Sequence, residues 1–111
     1  MKLDRNNNPD GKGKYALVKL RNFPKQSQMT DREQVFAALD TLATFGMLDY
    51  GSTPETEFMV MRLKDKFSMR GLMGYHHAIT LEEKPDMEYA QEILDMAHRA
   101  GPNNPFCKLP D

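Results

Sequence analysis

Two periodicities share this chain, and their coexistence constrains its fold more than any other feature. YALVKLRNF (15–23) and EFMVMRLKD (57–65) sort their side chains by twos, the mark of a strand with two unlike faces. In the first, Ala16, Val18 and Leu20 share one face. Tyr15, Leu17, Lys19 and Arg21 share the other, and Pro24 ends the run. In the second, Met59, Met61 and Leu63 lie opposite Phe58, Val60, Arg62 and Lys64. The short MLDYG (47–51) reads as a further strand, and Gly51 and Pro54 turn the chain after it.

Elsewhere the apolar spacing lengthens to three and four residues, which predicts helices. Thr30-Asp31-Arg32-Glu33 has the form of a capping box, with Thr30 as N-cap and Glu33 at N3. The helix after it carries Val35, Phe36, Ala38, Leu39, Leu42 and Ala43 in one stripe and stops at Gly46. Residues 66–79 predict a second helix, with a stripe of Phe67, Gly71, Leu72, Tyr75, Ala78 and Ile79. Residues 87–100 predict a third, with Asp86 as N-cap and Gly101-Pro102 as its stop. Its stripe is Tyr89, Ala90, Ile93, Leu94, Met96, Ala97 and Ala100, and Asp95 and Arg99 stand as an i,i+4 pair on the polar side.

The order β-α-β-β-α-α implies an α+β fold. It is a partial ferredoxin-like arrangement, a three-stranded antiparallel sheet with helices on one face. At 111 residues the chain is read as a single domain, 1–111. A polar N-terminal arm (1–14) precedes it. A Pro-bearing tail (102–111) follows, which Phe106 and Leu109 are placed to pin down.

MRGLMGYHHAIT (69–80) is the stretch that most resembles a site. On a helix, neighbours are about 100° apart, so His76 and His77 diverge, and a helical metal pair needs i,i+4. His98 lies on another element and Cys107 in the tail, so the spacing predicts no metal and no cofactor. Gly71-Leu72-Met73-Gly74 has the GxxG form of a nucleotide-clamping loop, but without the flanking order of elements that such a loop needs. Packing explains the stretch better, with His76 at the rim and Arg70, Met73 and His77 forming an outward patch. Asp4, Asn6, Asn8, Asp10 and Gly11 resemble the start of a calcium loop, but Leu17 stands where a bidentate Glu is required. No nucleophile motif, phosphate loop or paired acid and base is present, and a tail cysteine such as Cys107 is expected to be inert. The sequence predicts no enzyme.

A net charge of −1 and nine methionines describe a soluble chain with an adaptable core or surface and no global field toward nucleic acid or membrane. No apolar run is long enough to span a membrane, no signal peptide is read, and the single cysteine fits a reducing compartment. The expected location is the cytoplasm. The local exception to the neutral charge is the second sheet face, where Tyr15, Lys19, Arg21, Phe58, Arg62 and Lys64 interleave aromatic and basic groups. Such a face fits a protein interface, or single-stranded nucleic acid or a nucleotide. It also fits an ordinary outer surface covered by the tail.

EFMVMRLKDKFSMRGLMGYHHA and DMEYAQEILDMAHRAGPNNPFCKLPD resemble stretches of small, uncharacterised bacteriophage and prophage proteins. The resemblance covers the C-terminal half and carries over no functional residue. It implies a phage-type accessory protein in the host cytoplasm. The strategy expected of such a protein is stoichiometric binding of a host protein, including inhibition of a defence system. Binding of nucleic acid or a nucleotide is the alternative reading, and homo-oligomerisation stays open.

Overall fold

The computed structural model describes residues 13–110. Among the described residues there are three α-helices: α1 (Met29–Thr44), α2 (Ser68–Thr80) and α3 (Met87–Ala97). Single 3-10 turns occur at Leu20–Asn22 and Gly101–Asn103. No strand forms among these residues, so the α+β class and the three-stranded sheet are overturned, and the fold is helical.

The physical reason lies in the backbone bonds. A strand needs a ladder, and alternation describes only an amphipathic ribbon. Residues 15–23 close on themselves instead, through Asn22 N–H to Lys19 O at 3.1 Å and Phe23 N–H to Leu20 O at 3.0 Å. The 57–65 segment breaks at a turn, where Asp65 N–H donates to Arg62 O at 3.0 Å. MLDYG ends in a local turn, with Gly51 N–H donating to the Asp49 carboxylate at 2.8 Å. Among the described residues the sole bridge is a single parallel pair, Asp65 with Lys108.

The contacts divide the chain into two units, Ala16–Met59 and one that includes residues 60–110. The first is built on α1. It begins at Met29 after Gln28, with no side-chain cap bond, so the expected capping box at Thr30 and Glu33 does not form. Its end follows expectation. Gly46 takes φ +68°, Gly46 N–H bonds Ala43 O at 3.0 Å, and Met47 N–H bonds Leu42 O at 2.9 Å. That is a Schellman motif, which the left-handed glycine makes possible. Beside α1, the Phe23 and Phe36 rings meet at 4.7 Å, and the Arg32 guanidinium lies 4.9 Å from the Phe23 centroid. Arg32 also donates to Pro24 O at 2.8 Å.

The second unit is a helical hairpin. Asp86 caps α3 by accepting from Tyr89 N–H at 3.0 Å, as its position before the amphipathic run predicts. The core is Leu72, Ile93, Ala97 and Ala100, with Leu63, Met69, Ile79, Tyr89 and Met96 packed around it. Burying Leu72 and Ile93 stabilises the hairpin by about 1.5–3 kcal/mol each. The fully buried alanines at 90, 97 and 100 let another element approach α3 closely.

The face α2 buries overlaps the expected one only at Leu72 and Ile79. Phe67 and Tyr75 remain 59% and 51% exposed, while Ser68 and Leu72 are buried and His76 and Ile79 half-buried. The helix is turned by about one residue, 100°, from the predicted stripe. Its N-terminus explains the turn. Ser68 is wholly buried, and its hydroxyl lies 2.9 Å from Leu63 O and 2.7 Å from Asp65 O. Gly101 N–H donates to Ser68 Oγ at 3.1 Å and to Leu63 O at 2.8 Å. This knot ties the end of the α3 segment to the start of α2 and sets the register of the hairpin.

The tail is held differently from expectation. Phe106 and Leu109 stay 76% and 63% exposed. Backbone holds the tail instead, Lys108 N–H to Lys64 O at 2.9 Å and Lys66 N–H to Lys108 O at 2.8 Å. The calcium-like Asp4, Asn6, Asn8, Asp10 and Gly11, and most of the polar arm, lie outside the described residues.

Candidate functional site

Two surfaces stand out, one in each unit. In the second unit, the Arg62–Asp65 turn and the tail at Lys108 form the walls of a cleft of about 150 Å3. Val60, Arg62, Lys64, Asp65, Lys108, Leu109 and Pro110 line it. The paired backbone bonds at Lys108 fix the spacing of the two walls. Arg62 and Lys64 are half-buried, unusual for cations. Asp65 is turned to a structural task, since its Oδ1 accepts from Phe67 N–H at 2.8 Å ahead of α2.

In the first unit, no residue from 16 to 59 is buried. Phe45, Met47, Phe58 and Met59 are 74%, 73%, 61% and 82% exposed, and Phe36 and Tyr50 are also more than half exposed. Helix α1 contributes no buried side chain, although Val35, Leu39 and Leu42 reach half-burial.

The predicted binding residues are therefore distributed. Lys19, Arg21 and Phe58 belong to the first unit, and Arg62 and Lys64 line the cleft of the second. Tyr15 is 81% exposed, outside any helix. The sheet meant to carry all six on one face is absent among the described residues. Arg70, Met73 and His77 lie on α2 at i, i+3 and i+7, all exposed.

Two features escaped the sequence. Lys108, Leu109 and Pro110 supply the second wall of the cleft, where the tail was read only as a possible cover. The signal available was one cation in an otherwise uncharged tail stretch, 101–110. His76 was placed at a rim, but its Nδ1 lies 2.8 Å from Ala90 O. Because a carbonyl only accepts, Nδ1 carries the proton and donates across to α3.

No three His, Cys, Asp or Glu side chains among the described residues gather as metal ligands, and Cys107 is exposed. Among the described residues, the one large shift in proton affinity is at Tyr89. Its hydroxyl pairs with that of Tyr75 at 2.8 Å, and this bond, with burial, pushes its pKa up to about 12. The rings meet edge to face at 6.0 Å, a structural lock between α2 and α3. No helix among the described residues is long and apolar enough to cross a membrane. No protein-family model, no curated protein and no solved structure matches the chain.

Proposed function

We propose that the protein is a non-enzymatic binding protein and that residues 16–59 are the part that engages another protein. One observation carries this. That stretch displays Phe36, Phe45, Met47, Tyr50, Phe58 and Met59, each more than half exposed, and has no fully buried residue. A segment of this size without a core gains little from folding alone, and exposed apolar area gains most when a partner removes it from water. Methionine suits such a surface because its unbranched side chain repacks against different shapes.

The resemblance of the C-terminal half to small phage proteins makes a host protein the partner to seek. Stoichiometric inhibition of a host defence factor is the finer form of this reading. The nucleic-acid alternative needed a flat stacking platform, and without a sheet that platform has no structural basis.

The test is photocrosslinking from a residue analogue placed at Phe36 or Met59, with Arg70 and His98 as control positions, in host lysate. The expected result is one host protein captured from 36 and 59 and not from 70 or 98. A crosslink joining two copies of this chain, or equal capture from all four positions, refutes the reading.

A further inference from the structure

The apolar surface of residues 16–59 carries a charge pattern that selects the chemistry of its partner. Between Arg32 and Arg62 the chain has five carboxylates, Glu33, Asp40, Asp49, Glu55 and Glu57, and no Lys, Arg or His. The formal charge of that stretch is −5, on a chain whose net charge is −1. All five carboxylates are exposed, and the six large apolar side chains that form the surface, Phe36 through Met59, fall inside the same stretch. The two kinds of side chain are interleaved. Glu33, Phe36 and Asp40 stand at i, i+3 and i+7 on α1 and share one of its faces. The loop from Asp49 to Phe58 closes on itself. Glu57 N–H bonds Thr53 O at 2.8 Å, and the Thr53 and Thr56 hydroxyls meet at 2.7 Å. The Phe58 ring lies so close over Gly51 that a Cβ there would stand 2.5 Å from Phe58 Cδ1. Asp49, Glu55 and Glu57 therefore share one short closed loop with Tyr50 and Phe58. Asp49 accepts from Gly51 N–H at 2.8 Å, and among the described residues no partner holds the other four carboxylates. The last turn of α1 carries no basic residue, so the negative end of its dipole adds to the same field. Arg32, next to the stretch, is taken up by the Phe23 and Phe36 rings and by Pro24 O.

We infer that this surface docks a basic amphipathic helix of the partner protein. The inference rests on the reading of residues 16–59 as the docking part and adds the chemistry of what docks. Like charges held on one surface repel, and an incoming cation relieves that repulsion while apolar anchors take the rings and methionines out of water. Nucleic acid and anionic membranes bring phosphates, which meet the carboxylates as like charges. A second copy docking by the same face brings a second −5. A metal ion is no substitute, because no three His, Cys, Asp or Glu side chains gather among the described residues. An extended peptide finds no sheet edge to join, since residues 16–59 form no strand. A helix with apolar anchors at i, i+3, i+4 and i+7 and Lys or Arg beside them satisfies both features, and methionines let the surface repack against it.

The experiment titrates the full chain into three labelled peptides and reads fluorescence anisotropy. One is a Leu/Lys peptide with Leu at helical spacing, one a Leu/Glu peptide with the same spacing, and one a Ser/Lys peptide without apolar anchors. The Leu/Lys peptide should bind saturably with a Kd on the order of 10 µM, and the other two at least about tenfold more weakly. Added salt should weaken the Leu/Lys complex as the screening length shortens. Asp40→Asn with Glu57→Gln should weaken it about fivefold, while Glu82→Gln with Glu83→Gln, an equal change of charge in the second unit, should leave it unchanged. All four positions are exposed, so a fold defect cannot imitate loss of binding. Equal binding of the Leu/Glu or the Ser/Lys peptide, or equal effects of the two double variants, overturns the inference. The photocrosslinks from positions 36 and 59 separate it from the reading beneath it. A captured host segment of net positive charge supports both. A captured segment of net negative charge leaves the docking surface standing and overturns the basic helix, and no capture at all overturns both.

Discussion

Replacing Gly101 with alanine puts the Ser68 knot under direct load. Gly101 adopts φ +57°, where an L side chain costs about 1–2 kcal/mol. A Cβ there would stand 3.1 Å from Lys66 O, 3.1 Å from Met69 Cβ and 3.4 Å from Met69 N. Two of these neighbours are backbone atoms at the start of α2 and cannot swing away. Relief must come from moving Gly101, which stretches its bonds to Leu63 O (2.8 Å) and Ser68 Oγ (3.1 Å). Strain and weakened bonds together predict a loss of about 2–3 kcal/mol. Gly74 is the matched control. It lies inside α2 with nothing within 4 Å of its would-be Cβ, so Gly74→Ala should stabilise by about 1 kcal/mol through helix propensity alone. The same chemical change thus has opposite signs at two positions. Urea unfolding followed by far-UV circular dichroism reads both. A Gly101→Ala midpoint at or above wild type, or a Gly74→Ala midpoint below it, would refute the reasoning.

Further expectations follow from the two hairpin helices and from α1. Ile93→Ala should cost about 2–4 kcal/mol, since Ile93 is 3% exposed in the core, while half-buried Leu42→Ala in α1 should cost about 1 kcal/mol or less; equal midpoint shifts would show that α1 has a core after all. The Tyr89 pKa lies above its unfolded value near 10, so its share of stability is intact below pH 10 and drains away as pH rises to about 12. Tyr75→Phe removes the raising bond and should bring the Tyr89 titration, read by ultraviolet absorbance, back toward 10; a titration that stays put would show that burial alone sets it. His76→Phe keeps the ring but leaves the Ala90 carbonyl without its donor, and should lower the urea midpoint by about 1–2 kcal/mol.

The legibility of the sequence followed from how local each signal is. Asp86 and the Tyr89–Ala97 part of the stripe are local rules for starting and facing a helix, and α3 obeys them, but it ends at Ala97 with His98 as C-cap, before the expected stop at Gly101-Pro102. Gly46 ends α1 by such a local rule. The two alternating segments failed because alternation carries no information about partners. Residues 15–23 and 57–65 met turns at Leu20–Asn22 and Arg62–Asp65 rather than a neighbouring ladder. The face of α2 was misread because its orientation is set by Ser68, a small polar residue that no apolar count includes. Its three bonding partners lie 3, 5 and 33 positions away. The cleft was half legible: Arg62 and Lys64 stood out as a pair, but Lys108 joins them only through a contact made more than forty positions away in the chain.

The account rests on the claim that residues 16–59 have no core of their own, whereas the α2–α3 hairpin does. Residue-resolved amide hydrogen exchange on the free protein tests this most directly, because protection tracks the local cost of opening. The predicted result is fast exchange along α1, Met29–Thr44, and slow exchange through the facing turns of Ser68–Thr80 and Met87–Ala97. Slow exchange of α1 in the free protein, matching that of α3, would contradict the claim and with it the need for a protein partner on that surface.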